Sequence, residues 1–304
     1  MERYKLLSAG IIKSLIFGCS FLITARAMQL VGIIDLLSMR YLFAFAVFEI
    51  LRITVFKFKI SIRDFISMLP LAIFMPVGYY IFEAIGIKGA SSMAAGIMVS
   101  FEPVLILIIE ILFLKEKTDI KKVFFILTSV AGVVIITLFS GISEEKSTLI
   151  GIIFLFFAVL SEALYTVISG KMSKSFSSAQ RTYMMMATGA IVFNLINIIR
   201  RAHTGDFYSY FAPLLNISSL IYILYMAVFP SVIAFFMYNY MLEREKPSVV
   251  SVYLGLETVI SIFVGIMFNS EKLFLYHIFG TIMILTGVIG VNKDETNSNN
   301  KNRI

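Results

Sequence analysis

Apolar residues run along this chain in blocks of about 20, broken by short polar stretches with clustered charges. A helix needs about 20 largely apolar residues to cross the hydrocarbon layer of a bilayer. That window predicts ten membrane helices, at 6–27, 33–54, 65–87, 90–113, 121–140, 148–169, 181–199, 218–241, 248–269 and 274–292. The links between them are too short for a sizeable soluble domain. The longest, 200–217, carries Arg200, Arg201, His203, Phe207 and Tyr208, a composition suited to lying along the outer surface. The first block runs from Leu6 to Ala25 with Lys13 inside it. It is longer than the roughly 7–15 apolar residues of a signal peptide, so an uncleaved first helix is expected. The closing stretch, 293–304, is rich in Asn and Lys and is expected to be a disordered cytoplasmic tail.

Composition strengthens this picture. Of 304 residues, 59% are hydrophobic and 15% charged, and mean hydropathy is +0.91. Soluble chains carry about 25% charge. An all-α integral membrane protein is the reading. Cys19, His203 and His277 cannot supply a disulfide framework, a metal centre or haem ligands. Nothing resembles a phosphate-binding glycine loop, so no cofactor and no metal are expected. An enzyme would need a nucleophile–base set at one depth, and both histidines lie outside the spans' middles. The net charge of +7 points to the cytoplasmic loops and anionic lipid, not to nucleic acid. With the N-terminus inside, 18 Lys and Arg fall in inner segments and 5 in outer ones. Lys and Arg resist translocation, so both termini are expected in the cytoplasm, in a bacterial-type inner membrane.

The chain also repeats itself. An offset of 155 residues places Glu102 on Glu257, Glu116 on Glu271, Lys117 on Lys272, and Gly132-Val133-Val134 on Gly287-Val288-Ile289. Charged and glycine positions carry this match, because apolar residues would match anywhere. The halves divide as 1–146 and 147–292, with five spans each. An odd number of spans makes the second half enter from the opposite side. Such inverted repeats are a recurring plan of secondary transporters.

At this point the sequence resembles a known family. The segment SSMAAGIMVSFEPVLILIIEILFLKEK is similar to the fourth-helix signature of EamA-type members of the drug/metabolite transporter superfamily. Arg40, in LLSMRYLFA, resembles the arginine that these proteins carry early in their second helix. The resemblance covers residues 8–292. It implies ten helices in two inverted repeats around a central cavity, and a metabolite or drug carrier. The chain departs from the family's pattern in having Phe17-Gly18 and Glu162-Ala163 where tryptophan pairs are common. Thr258 stands opposite Pro103, and Lys115-Glu116 and Ser270-Glu271 replace Gly-Glu.

Ionisable residues inside a span are costly, so each is a functional candidate. Glu102 and Glu257 form a repeat-related pair near mid-membrane, either facing the site to bind protons or a cationic group, or holding helices together. Glu162 sits mid-span, where an acid in apolar surroundings suits proton exchange. Its alternative is a protonated acid satisfied by Ser161 or Tyr165. Arg40 either clamps a substrate carboxylate or pairs with an acid. Glu83 either lines the outer mouth or meets interfacial water. Tyr79, Tyr80, Tyr165, Tyr238 and Tyr253 could stack on a cationic or aromatic substrate, or serve as ordinary anchors. Among the other charges, Arg26 and Asp35 are expected to pair across the first outer turn. Lys13, Glu49 and Glu110 are expected to snorkel or to pair with loop charges. Small residues from Gly89 to Gly96 should allow close helix approach.

Seven intramembrane acids against three bases favour protons, amines or zwitterions over multiply anionic solutes. The expected function is a secondary carrier, an exporter of a small organic solute, with protons as a candidate coupling ion. The alternatives are proton-coupled uptake of an amine or nucleoside and, more distantly, a membrane enzyme or receptor. Its expected partners are the bilayer and a small-molecule substrate, and the expected state is monomer or weak dimer.

Overall fold

A computed structural model describes residues 2–89, 98–115, 119–140, 149–269 and 274–301. Among these residues there is no strand; nearly all are helical. The small-residue stretch from Ala90 to Gly96, and Glu116, Lys117, Lys146, Glu271 and Lys272, lie outside them.

The helices follow the apolar blocks. They are α1 (Glu2–Leu30), α2 (Ile33–Leu51), a three-part α3 (Ile62–Ala72, Ile73–Gly78, Tyr79–Gly89) and α4 (Glu102–Leu114). Then come α5 (Ile120–Ser140), α6 (Leu149–Met172) and α7 (Ser178–Thr204). A three-part α8 (Ile217–Met226, Ala227–Ala234, Phe235–Leu242), a two-part α9 (Pro247–Ser251, Tyr253–Asn269) and α10 (Leu275–Lys301) complete the chain. Among the described residues, seven helices are long and apolar enough to cross a membrane: α1, α3, α5, α6, α7, α8 and α9. The other three fall short for visible reasons. Asp35, Arg40 and Glu49 interrupt the apolarity of α2, the described part of α4 has 13 residues, and the apolar part of α10 ends at Val291. Past Val291, α10 continues as helix through Lys301, into the segment expected to be disordered.

Local signals explain the ends. Ser61 and Asp64 form a capping box at the start of α3, and Ser177 and Gln180 do the same for α7. Gly205, at φ +70°, closes α7 in the left-handed conformation that glycine adopts without steric cost. Breaks coincide with proline. The middle sections of α3 and α8 are π-helical and contain Pro76 and Pro230, 154 residues apart. A proline lacks the N–H that the regular ladder needs.

The described chain forms two compact units. One comprises Met1–Val77 and Met172–Glu243, the other Gly78–Lys171 and Arg244–Ile304. Each draws on both halves of the sequence. In the first unit α2 and α7 run antiparallel: Tyr41 packs on Gly189, Ser38 faces Asn197, and Asp35 meets Arg200. Helices α1 and α8 pair in the same sense, through Thr24 with Met226 and Phe17 with Phe235.

In the second unit the dominant packing is α5 on α10, and it is reciprocal. A Cβ built on Gly132 would lie 2.6 Å from the Gly280 carbonyl and 3.0 Å from Ile284. One built on Gly287 would lie 2.7 Å from the Phe125 carbonyl and 2.6 Å from the Ser129 Cβ. Under the 155-residue offset Gly132 becomes Gly287, Phe125 becomes Gly280 and Ser129 becomes Ile284. Each contact therefore reappears with its partners exchanged, as in an isologous interface. Residue numbers rise along α5 as they fall along α10, so the two helices are antiparallel. Ile126, Val130, Ile284 and Val288 form the core between them.

Candidate functional site

Five expected candidates come together in the second unit. Tyr79 and Tyr80 open the last section of α3, where the ladder restarts after Pro76. Their rings meet edge to face, with centroids 5.0 Å apart. The Tyr79 hydroxyl donates to Glu83 Oε1 at 3.0 Å. Glu83, Glu162 and Glu102 all lie within electrostatic reach of Tyr79. The close approach of α3 and α6 needs Gly86, where a Cβ would fall 2.8 Å from Leu155. Glu102, at the start of α4, is 1% exposed, while Glu162 and Glu83 are half-buried. Three carboxylates thus surround two tyrosines within the second unit.

Glu257 on α9 is 7% exposed, and Tyr253, one turn earlier, is also buried. Tyr165 is fully buried beside Glu162's turn of α6. The segments that carry Glu102 and Glu257 share a cavity of about 30 Å³. Its walls hold offset partners: Val99 with Leu254, Ser100 with Gly255, and Pro103 with Thr258.

Arg40 and Tyr238 belong to the first unit. Arg40, 4% exposed, donates from Nε to Ser231 Oγ at 2.7 Å, and Ser231 donates in turn to the Met226 carbonyl. Ser231 follows Pro230, so the π-helical section of α8 positions the group that Arg40 holds. Tyr238 lies under the Lys13 ammonium, 4.5 Å from the ring centroid.

Three expectations for the lesser charges change. Asp35 pairs with Arg200 (2.7 Å) and Arg201 (2.6 Å) of α7 rather than with Arg26. Its place in the first turn of α2, against basic residues in the last turn of α7, also suits both helix dipoles. Lys13 does not snorkel: it is buried over Tyr238 and Phe17. Glu110 is buried too, and accepts from the Ser248 N–H at 3.3 Å, at the N-terminus of α9. Glu49 pairs with Arg52 at 2.6 Å as expected of a helix-end acid. In the loop beyond α7, the Ser209 hydroxyl and amide, with Arg201 nearby, hold Asp206 below the usual carboxylate range.

Reading the sequence placed Lys13 at a helix end and missed its burial over two aromatic rings. Nothing in the sequence links Arg181 to its burial against Asn239 and Glu243.

Membrane-length helices and buried charge define a multi-pass membrane protein of the transporter class. The chain belongs to the EamA-like transporter family, whose model matches it twice, over residues 5–138 and 149–293. It is 32% identical over 285 residues to the uncharacterized transporter YcxC of Bacillus subtilis, covering 93% of this chain and 91% of that one. An uncharacterized transporter of Archaeoglobus fulgidus is 24% identical over 273 residues, covering 90% and 93%. A crystal structure with 16% sequence identity superposes with a TM-score of 0.76, covering 94% of this chain and 96% of that one.

Proposed function

We propose that this protein is a secondary-active carrier that exports a small organic solute, an amine or a zwitterion, by alternating access. In this reading ten helices form two inverted five-helix repeats in the inner membrane, with both termini in the cytoplasm. The reciprocal, antiparallel packing of α5 on α10 supports the inversion. A two-fold axis that relates antiparallel membrane helices lies in the membrane plane. Interrupted helices at corresponding places, α3 at Pro76 and α8 at Pro230, are a further mark of such carriers.

The observation that carries the function is the acid cluster around Tyr79, with Glu83, Glu102 and Glu162. A carrier binds its cargo and its driving ion at intramembrane ionisable groups, and here these are carboxylates. Protons are the coupling ion that carboxylates admit most directly. The substrate is held without a cofactor, and the protein works as a monomer or weak dimer.

The test compares growth under a panel of amines, amino acids and drugs, with and without expression, followed by efflux of the protective compound from preloaded cells. Protection with faster efflux supports export. Sensitisation with faster accumulation would reverse the direction, and no change across the panel would remove the exporter reading.

A further inference from the structure

One edge of the first unit, where α2 ends and where α3 and α7 begin, carries a cationic surface. After α2 a π-helical turn, Arg52–Phe56, ends at Lys57, which is left-handed at φ 50°. Its N–H donates to the Arg52 carbonyl at 2.7 Å. Residues 57–61 then run without helix to Ser61, the cap of α3. Exposure alternates along this strap, as it does in an extended segment with one packed face. Phe58 and Ile60 are half-buried, whereas Lys57, Lys59 and Ser61 are exposed. The Phe58 ring meets Tyr183 edge to face at 5.8 Å, and the Phe58 carbonyl accepts from Arg52 Nη1 at 2.9 Å. Ile60 packs on a core of Met68, Ala72 and Met184, which Met172 and Phe176 cover as well. The inward residues therefore fix the strap and hold its lysines outward.

The spans locate this edge in the bilayer. Membrane-length helices begin at Ile62 and at Ser178, so the strap and the turn before α7 lie where two spans enter the hydrocarbon. Lys57, Lys59, Arg63 and Lys174 are exposed there, and none of the four makes an ion pair among the described residues. The acids of the same edge are engaged. Glu49 is held by Arg52, Asp64 by the Ser61 amide and hydroxyl, and Glu243 by the Ser178 amide. One turn apart on α3, Ile62 is 81% and Ile66 62% exposed, an apolar face directly beside the cations. Left-handed backbone suits glycine or asparagine better than lysine, so Lys57 places its charge against its own conformational preference.

We propose that this edge binds one anionic phospholipid. Lys57, Lys59 and Arg63 hold its phosphate, Lys174 adds to the positive field, and its acyl chains lie along Ile62 and Ile66. Basic side chains at the end of a membrane helix select anionic headgroups by charge, and each contributes about fivefold in affinity. A zwitterionic lipid offers the same phosphate, but its own ammonium group opposes these cations. A free phosphate ion has no chains to cover the two isoleucines.

The experiment titrates the purified full-length protein in a non-ionic detergent with dioleoylphosphatidylglycerol, dioleoylphosphatidylcholine or inorganic phosphate. Lipid adducts are counted by native mass spectrometry, and melting temperature is followed in parallel. Wild type should take up one phosphatidylglycerol saturably and melt higher with it, while phosphatidylcholine and inorganic phosphate do neither. Lys57→Asn, Lys59→Gln and Arg63→Gln should each weaken that affinity about fivefold, and the triple variant about a hundredfold. All should melt like wild type in detergent alone, and Lys57→Asn no lower, because asparagine accepts the left-handed backbone. Lys121→Gln, an exposed charge of the second unit, should bind like wild type. Equal uptake of phosphatidylcholine, or equal stabilisation by inorganic phosphate, would overturn the site. So would an unchanged affinity in the triple variant, or a loss in Lys121→Gln as large as in the strap variants, which would mean diffuse attraction.

Discussion

Adding one methyl group at Gly132 or at Gly287 probes the packing on which the doubled architecture depends. In Gly132→Ala the new Cβ would sit 2.6 Å from the Gly280 carbonyl oxygen, and in Gly287→Ala 2.6 Å from the Ser129 Cβ. Ordinary contact between such atoms is about 3.5–4.0 Å, so α5 and α10 must separate by roughly 1 Å. Backbone lies on the far side of each contact and cannot swing away as a side-chain tip would. A gap of that size forfeits a quarter to a half of the dispersion attraction along the contact. Overpacking of this kind costs roughly 1–3 kcal/mol. Because the two sites exchange their contacts under the offset, both variants should be destabilised by similar amounts. Both also push the same pair of helices apart, so the double variant should cost less than the sum of the singles. The assay is thermal and denaturant unfolding of purified protein in one detergent, with all four chains side by side. A change below about 0.5 kcal/mol in either single variant would refute the close packing. Loss in one alone would refute its reciprocity.

Other outcomes follow from the same structure. Asp35→Asn should destabilise by roughly 3 kcal/mol in denaturant unfolding, since it removes the charge that meets Arg200 and the buried Arg201 and leaves Arg201 only Asp206. Glu110→Leu removes the acceptor at the start of α9 and should lower the melting temperature; Glu110→Gln, which still accepts from Ser248, should recover most of it. Reporter fusions at residue 146 should read outside, and fusions at residue 174 and at the C-terminus inside. A C-terminus outside would contradict the charge asymmetry.

Much of the fold was legible in the sequence because bilayer thickness imposes one length on every apolar block. The caps, Ser61 with Asp64 and Ser177 with Gln180, went unread, although their three-residue spacing is a local signal. The charged contacts were harder. Asp35 finds its partners 165 and 166 residues away, and only the antiparallel register of α2 and α7 brings them together. Proximity along the chain favoured Arg26 instead. Glu110 bonds a backbone N–H, which every residue but proline possesses, so no residue type announced it. At the candidate site, Glu102, Glu162 and Glu83 stood out because charge is rare inside a span. Their grouping around Tyr79 depended on where α3 restarts after Pro76.

The central claim is that buried carboxylates couple solute movement to an ion gradient. Its most direct test is gradient-driven flux in proteoliposomes, with a compound that the growth panel identifies, normalised to folded protein. Glu102→Gln, Glu257→Gln and Glu162→Gln keep size and hydrogen bonding but cannot titrate. Flux driven by a pH gradient should fall steeply in at least one of the three, while exchange at equal pH persists. Wild-type pH dependence in all three would contradict the account and leave these carboxylates as scaffolding.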